Sequence, residues 1–172
     1  MKKLISFLLT TTFVFAADNE IYIDQSGDSA SIDLEQLGSS NIIGGLESSA
    51  GSLNPLDLDG SSLTLDINQI GDSNTFLGDI LGDNIVGYFN FDGNSNAFTI
   101  QVDPTDTYGA DGSNLNVQAT GDSNTFELNL ATSALASNTD LDWIINGSSN
   151  TLTFDIDVDG AISYVDIDGD SN

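Results

Sequence analysis

The chain has no cysteine and no histidine, only two prolines, and two basic residues against 27 acidic ones. Each shortage excludes a class of chemistry. Without Cys there is no disulfide, and without Cys or His there is no zinc centre of the usual ligand set. Ser-His-Asp and Cys-His catalysis lack their base. Both basic residues, Lys2 and Lys3, stand at the start of the chain. The body therefore has no Lys for a Schiff base or a phosphate-binding loop. With a net charge of −25, it has no cations to set against nucleic-acid phosphates or an anionic membrane surface. Carboxylate, hydroxyl, amide and aromatic groups remain, with hard cations such as Ca²⁺ as possible ligands. Acids are so numerous that no pair stands out as the two carboxylates of a glycosidase. The chain reads as a non-enzyme without an organic cofactor.

Long hydrophobic runs are also scarce. The one that stands out, residues 4–15, follows Met1-Lys2-Lys3 and leads to Val14-Phe15-Ala16. About 12 residues fall short of the roughly 20 that span a bilayer. The positive start, short apolar centre and small residues fit a secretory signal over 1–16, cleaved after Ala16. The mature domain is then 17–172, extracellular or at the cell surface, with no stable membrane insertion.

What is present is a repeat. Gly-x-Ser-Asn recurs at Gly38–Asn41, Gly71–Asn74, Gly93–Asn96, Gly121–Asn124, Gly147–Asn150 and Gly169–Asn172, with a variant at Gly27-Asp28-Ser29-Ala30. Stepping by 11 from Gly27 meets Gly38, Ser49, Gly60, Gly71, Gly82 and Gly93. Around these turns apolar residues alternate with Asp, Asn, Ser and Thr, as in Phe98 and Ile100 or Leu152, Phe154 and Ile156. Period two means strands with one buried face. Gly supplies positive φ, and Asp, Ser and Asn supply turn hydrogen bonds.

A strand-turn-strand unit with two arms spans about 22 residues and buries its apolar face only by stacking on copies of itself. The expected fold is all-β: a β-solenoid of about five to seven such coils. An antiparallel β-sandwich is the alternative. Trp143 falls at a core position of the alternation. Residues 44–54 before Pro55, 103–112 with Pro104, and 131–140 break the period and are expected to bulge as loops.

Gln36-Leu37-Gly38-Ser39-Ser40-Asn41 and Gln69-Ile70-Gly71-Asp72-Ser73-Asn74 resemble the Gln-x-Gly-x-x-Asn core of the curlin repeat, the unit of secreted bacterial amyloid fibres. Gln25-Ser26-Gly27-Asp28-Ser29-Ala30 is a near match. Later copies depart from the pattern, with Phe91, Ala119, Ile145 and Ile167 in the Gln position. The resemblance implies a secreted subunit that stacks on itself into extracellular, curli-like fibres of matrix or adhesive type. Its partner is then a second copy of the chain. Stacked amides at Gln25, Gln36, Gln69, Asn41, Asn74, Asn96, Asn124 and Asn150 can form ladders along such a stack.

The acidic residues Asp24, Asp33, Glu35, Asp66, Asp142 and Asp166 fall on the outward phase of the alternation. They serve solubility, or they hold assembly back until protons, salt or Ca²⁺ screen them. Asp155, Asp157, Asp159 and Asp166, with Gly160, imitate the spacing of an EF-hand loop and form a candidate calcium site. The same carboxylates also fit the outward face of a strand. The functional alternative to a fibre subunit is a monomeric, cation-stabilised extracellular binding or surface module.

Overall fold

The computed structural model describes residues 19–49, 52–103, 110–131, 136–156, 158–160 and 162–172. Residues 1–16, where a leader is expected, lie outside them.

The described chain is all strand and turn, wound in layers. The first layer is β1 (Glu20–Tyr22), β2 (Asp24–Ser26) and β3 (Ser31–Leu37). The second is β4 (Ile42–Ser49), β5 (Ser52–Asn54), β6 (Leu56–Asp59) and β7 (Thr64–Ile70). Then come β8 (Thr75–Leu81) with β9 (Val86–Asp92), and β10 (Ala97–Val102) with β11 (Asn114–Thr120). The fifth layer is β12 (Thr125–Leu130), β13 (Ala136–Ser137) and β14 (Asp140–Asn146). The sixth is β15 (Thr151–Ile156), β16 (Val158–Asp159) and β17 (Ile162–Asp168).

Two large parallel sheets result, and β13 and β16 pair in a small third one. One large sheet follows β1-β4-β8-β10-β12-β15, with β2 and β6 continuing its first layers. The other runs β3-β7-β9-β11-β14-β17. Parallel pairing between successive layers is the β-solenoid expected from the repeat, and it excludes the sandwich, whose sheets are antiparallel. Along the second sheet the register advances by 33, 22, 28, 26 and 22 residues. The expected 22 is thus the minimum, and the mean step is about 26.

The surplus residues fall where the period breaks. Tyr22 pairs with Gly44, but Asp24 pairs with Asp57, so the first surplus lies between Gly44 and Asp57. There β4 and β5 pair antiparallel, Gly45 with Asn54 and Ser49 with Ser52. This segment is a hairpin where a loop was expected. The other two surpluses fall between Val102 and Asn114 and between Leu130 and Asp140. Of those segments, 104–109 and 132–135 lie outside the described residues.

The core sits between the sheets and is built from the inward phase of the alternation. Phe76, Phe98 and Phe126 stack in register on the first sheet, and Ile67, Phe89, Val117 and Trp143 on the second. All seven are buried. The rings form a continuous series: Phe76–Phe98 at 5.3 Å, Phe98–Trp143 at 5.6 Å and Trp143–Phe154 at 4.8 Å between centroids. Glycine makes room for two of them. A Cβ on Gly78 would press on the Phe76 ring, and one on Gly87 on the Phe89 ring. The third layer thus places its large and small residues so that the space between the sheets is filled without overlap.

Candidate functional site

The most ordered chemical feature is one edge of the solenoid. At this corner the second sheet hands over to the first sheet of the next layer. Gly38, Gly71, Gly93, Gly121 and Gly147 all stand here, each opening a Gly-x-Ser-Asn turn. The turn works by three devices. Gly121 has a φ of 131°, and a Cβ on it would overlap the Gly93 carbonyl of the layer before. Only a residue without a side chain allows both the dihedral and the close approach. The Ser two places on is also left-handed, with φ between 56° and 61° at Ser40, Ser73, Ser95, Ser123 and Ser149. Nothing in the residue pattern marks Ser for that role, since left-handed turns favour Gly, Asn and Asp. The Asn then turns inward and donates its amide to the carbonyl of its own Gly, at 3.0 Å from Asn41 to Gly38 and 2.6 Å from Asn124 to Gly121.

The same asparagines connect the layers. Asn19 Nδ2 donates to Asn41 Oδ1 at 2.9 Å, Asn41 Nδ2 to Asn74 Oδ1 at 2.8 Å, and Asn74 Nδ2 to Asn96 Oδ1 at 2.9 Å. From there backbone N–H groups donate: Asn96 to Asn124 Oδ1 at 2.8 Å, Asn124 to Asn150 Oδ1 at 3.0 Å, and Asn150 to Asn172 Oδ1 at 2.8 Å. Asn41, Asn74, Asn96, Asn124 and Asn150 are all buried. An amide supplies the donor and the acceptor that such a column needs at every layer, and a carboxylate does not. The ladder read from the sequence is therefore continuous, and it includes Asn19 and Asn172.

The glutamine ladder is short. Gln69 Nε2 donates to Gln36 Oε1 at 2.7 Å, and both side chains are buried. In the next layer Phe91 takes the column, and Gln69 Oε1 is left buried without a hydrogen-bond partner. Gln25 is not in this column. It lies on the first sheet, pairs in register with Leu58, and donates to the Gly27 carbonyl at 2.9 Å. Gly27 likewise belongs to the opposite corner, where Gly60 and Gly82 stack over it. The step of 11 glycines interleaves two separate columns. Its exception, Ser49, falls in the inserted hairpin.

The second residue of each turn forms an outer column beside the ladder. Asn94 N donates to Asp72 Oδ1 at 3.2 Å, Asp122 N to Asn94 Oδ1 at 2.7 Å, Ser148 N to Asp122 Oδ1 at 2.5 Å, and Asp170 N to Ser148 Oγ at 3.3 Å. Acid alternates with neutral residue, so no two carboxylates are adjacent in this column. The strand faces are less careful. Asp33 pairs directly with Asp66, and Asp24, Asp57 and Asp79 follow one another in three layers. Asp79 is partly buried, and burial, with the Asp57 carboxylate beside it, raises its pKa.

Of the candidate calcium residues, Asp155 and Asp166 lie in different sheets. Asp155 stands on the first sheet opposite Asn129, and Asp166 on the second opposite Ile144. An EF-hand loop needs its first and last ligands on one ion, and here they belong to different sheets. Asp157 and the side chain of Asp159 lie outside the described residues. Among the described residues, no group of three or more acidic side chains is gathered around a common point. Among them too, no helix is long and apolar enough to cross a membrane.

No known protein family, curated protein or solved structure matches this chain.

Proposed function

We propose that the chain is a secreted structural subunit that stacks end to end into extracellular fibres of the curli-like kind. The observation that carries this reading is the amide ladder. It runs unbroken from Asn19 to Asn172, alongside the parallel pairing of each layer on the next in both sheets. Stacked amide columns of this kind extend from one chain to the next in cross-β assemblies, so a second copy can continue it. The last strand, β17, also leaves Ile162, Tyr164, Val165 and Ile167 exposed. Secretion by the leader is part of the same proposal, as is a matrix or adhesive role.

The test is electron microscopy and fibre diffraction of residues 17–172, with and without millimolar Ca²⁺. Filaments with a meridional spacing of about 4.7–4.8 Å are expected. Asn74→Asp and Gln69→Glu are expected to slow their growth, because each puts a carboxylate into a buried amide column. Monodisperse protein under every condition overturns the fibre reading.

One observation favours a second reading, a monomeric cation-stabilised surface module. The Asp24-Asp57-Asp79 column sets three like charges in successive layers, which a bound cation would relieve. Monodisperse protein whose melting temperature rises with Ca²⁺ selects that reading.

A further inference from the structure

The outer face of the second sheet is polar and carries two exposed aromatic rings. Tyr88 and Tyr164 share one register column, Tyr88 over Asn116, Asn116 over Asp142, Asp142 over Tyr164. They are 50% and 56% exposed, whereas Phe76, Phe89, Phe91, Phe98, Phe126 and Trp143 fill the core. Three layer steps separate them, about 14 Å at the spacing of paired strands. Between the rings Asn116 Nδ2 and Asp142 Oδ2 lie 3.4 Å apart. The neighbouring column adds Asn90 and Gln118, both exposed. Asn90 is itself held by Asn68, to which it donates at 2.8 Å.

We infer that this face binds a neutral, extended, β-linked polysaccharide lying along the solenoid axis. Four features point to that chemistry. A Tyr ring is an apolar plate with a polar rim, suited to the C–H face of a pyranose. Amide and carboxylate groups between the plates offer both donors and acceptors to hydroxyls. The excess of carboxylates, with no Lys or Arg beyond Lys3, repels polyanions and so excludes acidic polysaccharides. A β-linked pyranose chain is extended, so successive sugars can lie along the column and reach both rings. An α-linked glucan coils and leaves that line.

The inference does not depend on fibre formation, and the experiment separates the two. Purified protein is mixed with microcrystalline cellulose, insoluble chitin or starch granules, and its depletion from solution is measured against sedimentation without polysaccharide. Depletion by cellulose or chitin is expected, with starch weaker by about tenfold or more. Tyr88→Ala and Tyr164→Ala are each expected to weaken binding by about fivefold, and the double variant to abolish it. Tyr88→Phe keeps the plate and should bind within about twofold of the wild type. Both rings are on the surface, and an unchanged circular dichroism spectrum shows that the variants fold. No depletion by cellulose or chitin overturns the inference. So does equal binding to starch, or a double Ala variant that binds like the wild type.

Discussion

Five positions lead from Ile70 to Thr75, from Asp92 to Ala97, from Thr120 to Thr125 and from Asn146 to Thr151. At the opposite corner the interval changes: 6 from Ile80 to Val86, 12 from Val102 to Asn114, 10 from Leu130 to Asp140, and 6 from Ile156 to Ile162. The two corners use similar residues and the same left-handed third position, with Ser62 at φ 61° and Asn84 at φ 57° on the variable side. What differs is the fourth residue. The constant corner has a buried Asn in every layer, bonded both to its own turn and to the next layer. The variable corner has Ala30, Leu63, Ile85, Ser113 and Thr139. A continuous column of amides fixes distance and direction from layer to layer at the constant corner. The variable corner mixes apolar residues with Ser113, which accepts from Ile85 N at 3.2 Å, and Thr139, which donates to the Ala110 carbonyl at 3.5 Å. A longer turn is therefore tolerated where the amide ladder is missing.

That difference can be broken by insertion. Four Gly/Ser residues placed after Asn94 separate Asn96 from Gly93 and cut the ladder. Stability should fall by several kcal/mol, because buried amides lose their partners. The same four residues after Asp83 lengthen the variable corner and should cost less than about 1 kcal/mol, the scale of a modestly longer loop. Urea denaturation of both variants measures the gap, and equal losses would end the distinction.

A smaller change addresses the column itself. Asn74→Asp should destabilise by about 3 kcal/mol at neutral pH, since it buries a carboxylate among acceptors. Burial raises the folded-state pKa of the new acid above its unfolded value. The penalty is thus full at neutral pH and fades as the pH falls through the folded pKa towards the unfolded one. A variant as unstable at pH 4 as at pH 7, relative to wild type at each pH, would contradict this.

Glycine substitution sharpens the comparison within one residue type. Gly121→Ala meets the Gly93 carbonyl, which is backbone, and should cost about 3 kcal/mol. Gly112→Ala, at φ 69° on the variable corner, meets the Asn84 side chain, which can move. About 1 kcal/mol is expected there. Thermal unfolding of the pair checks the order.

The smallest effect concerns charge outside the corners. The raised pKa of Asp79 means that its ionised form weakens the fold, with burial the first cause and Asp57 the second. Stability should therefore rise as the pH drops through the folded pKa of Asp79 towards its unfolded value. Asp79→Asn should remove that component and stabilise at pH 7 by a few tenths of a kcal/mol, solvent screening keeping it small. A difference between wild type and variant that does not change with pH would refute the assignment.

Much of the fold is legible in the residues. Alternation marks the inward phase, so Phe76, Phe98, Phe126 and Trp143 are core by sequence and buried in fact. Gly-x-Ser-Asn marks the turns, and five recurring asparagines mark a ladder. Gln25 and Gln36 carry the same local signal, yet only Gln36 joins a column. Asp155 and Asp166 have a loop's spacing but occupy different sheets.

Residues within a few positions of one another set which side of each strand is buried and where the chain turns, so both can be read from local pattern alone. Tertiary structure decided which residues share a column, since the partners stand 22 to 33 positions apart. That distance depends on where surplus residues are housed, and only the pairing of whole layers settles it. The same pairing brought Tyr88 and Tyr164 into line across three steps of unequal length.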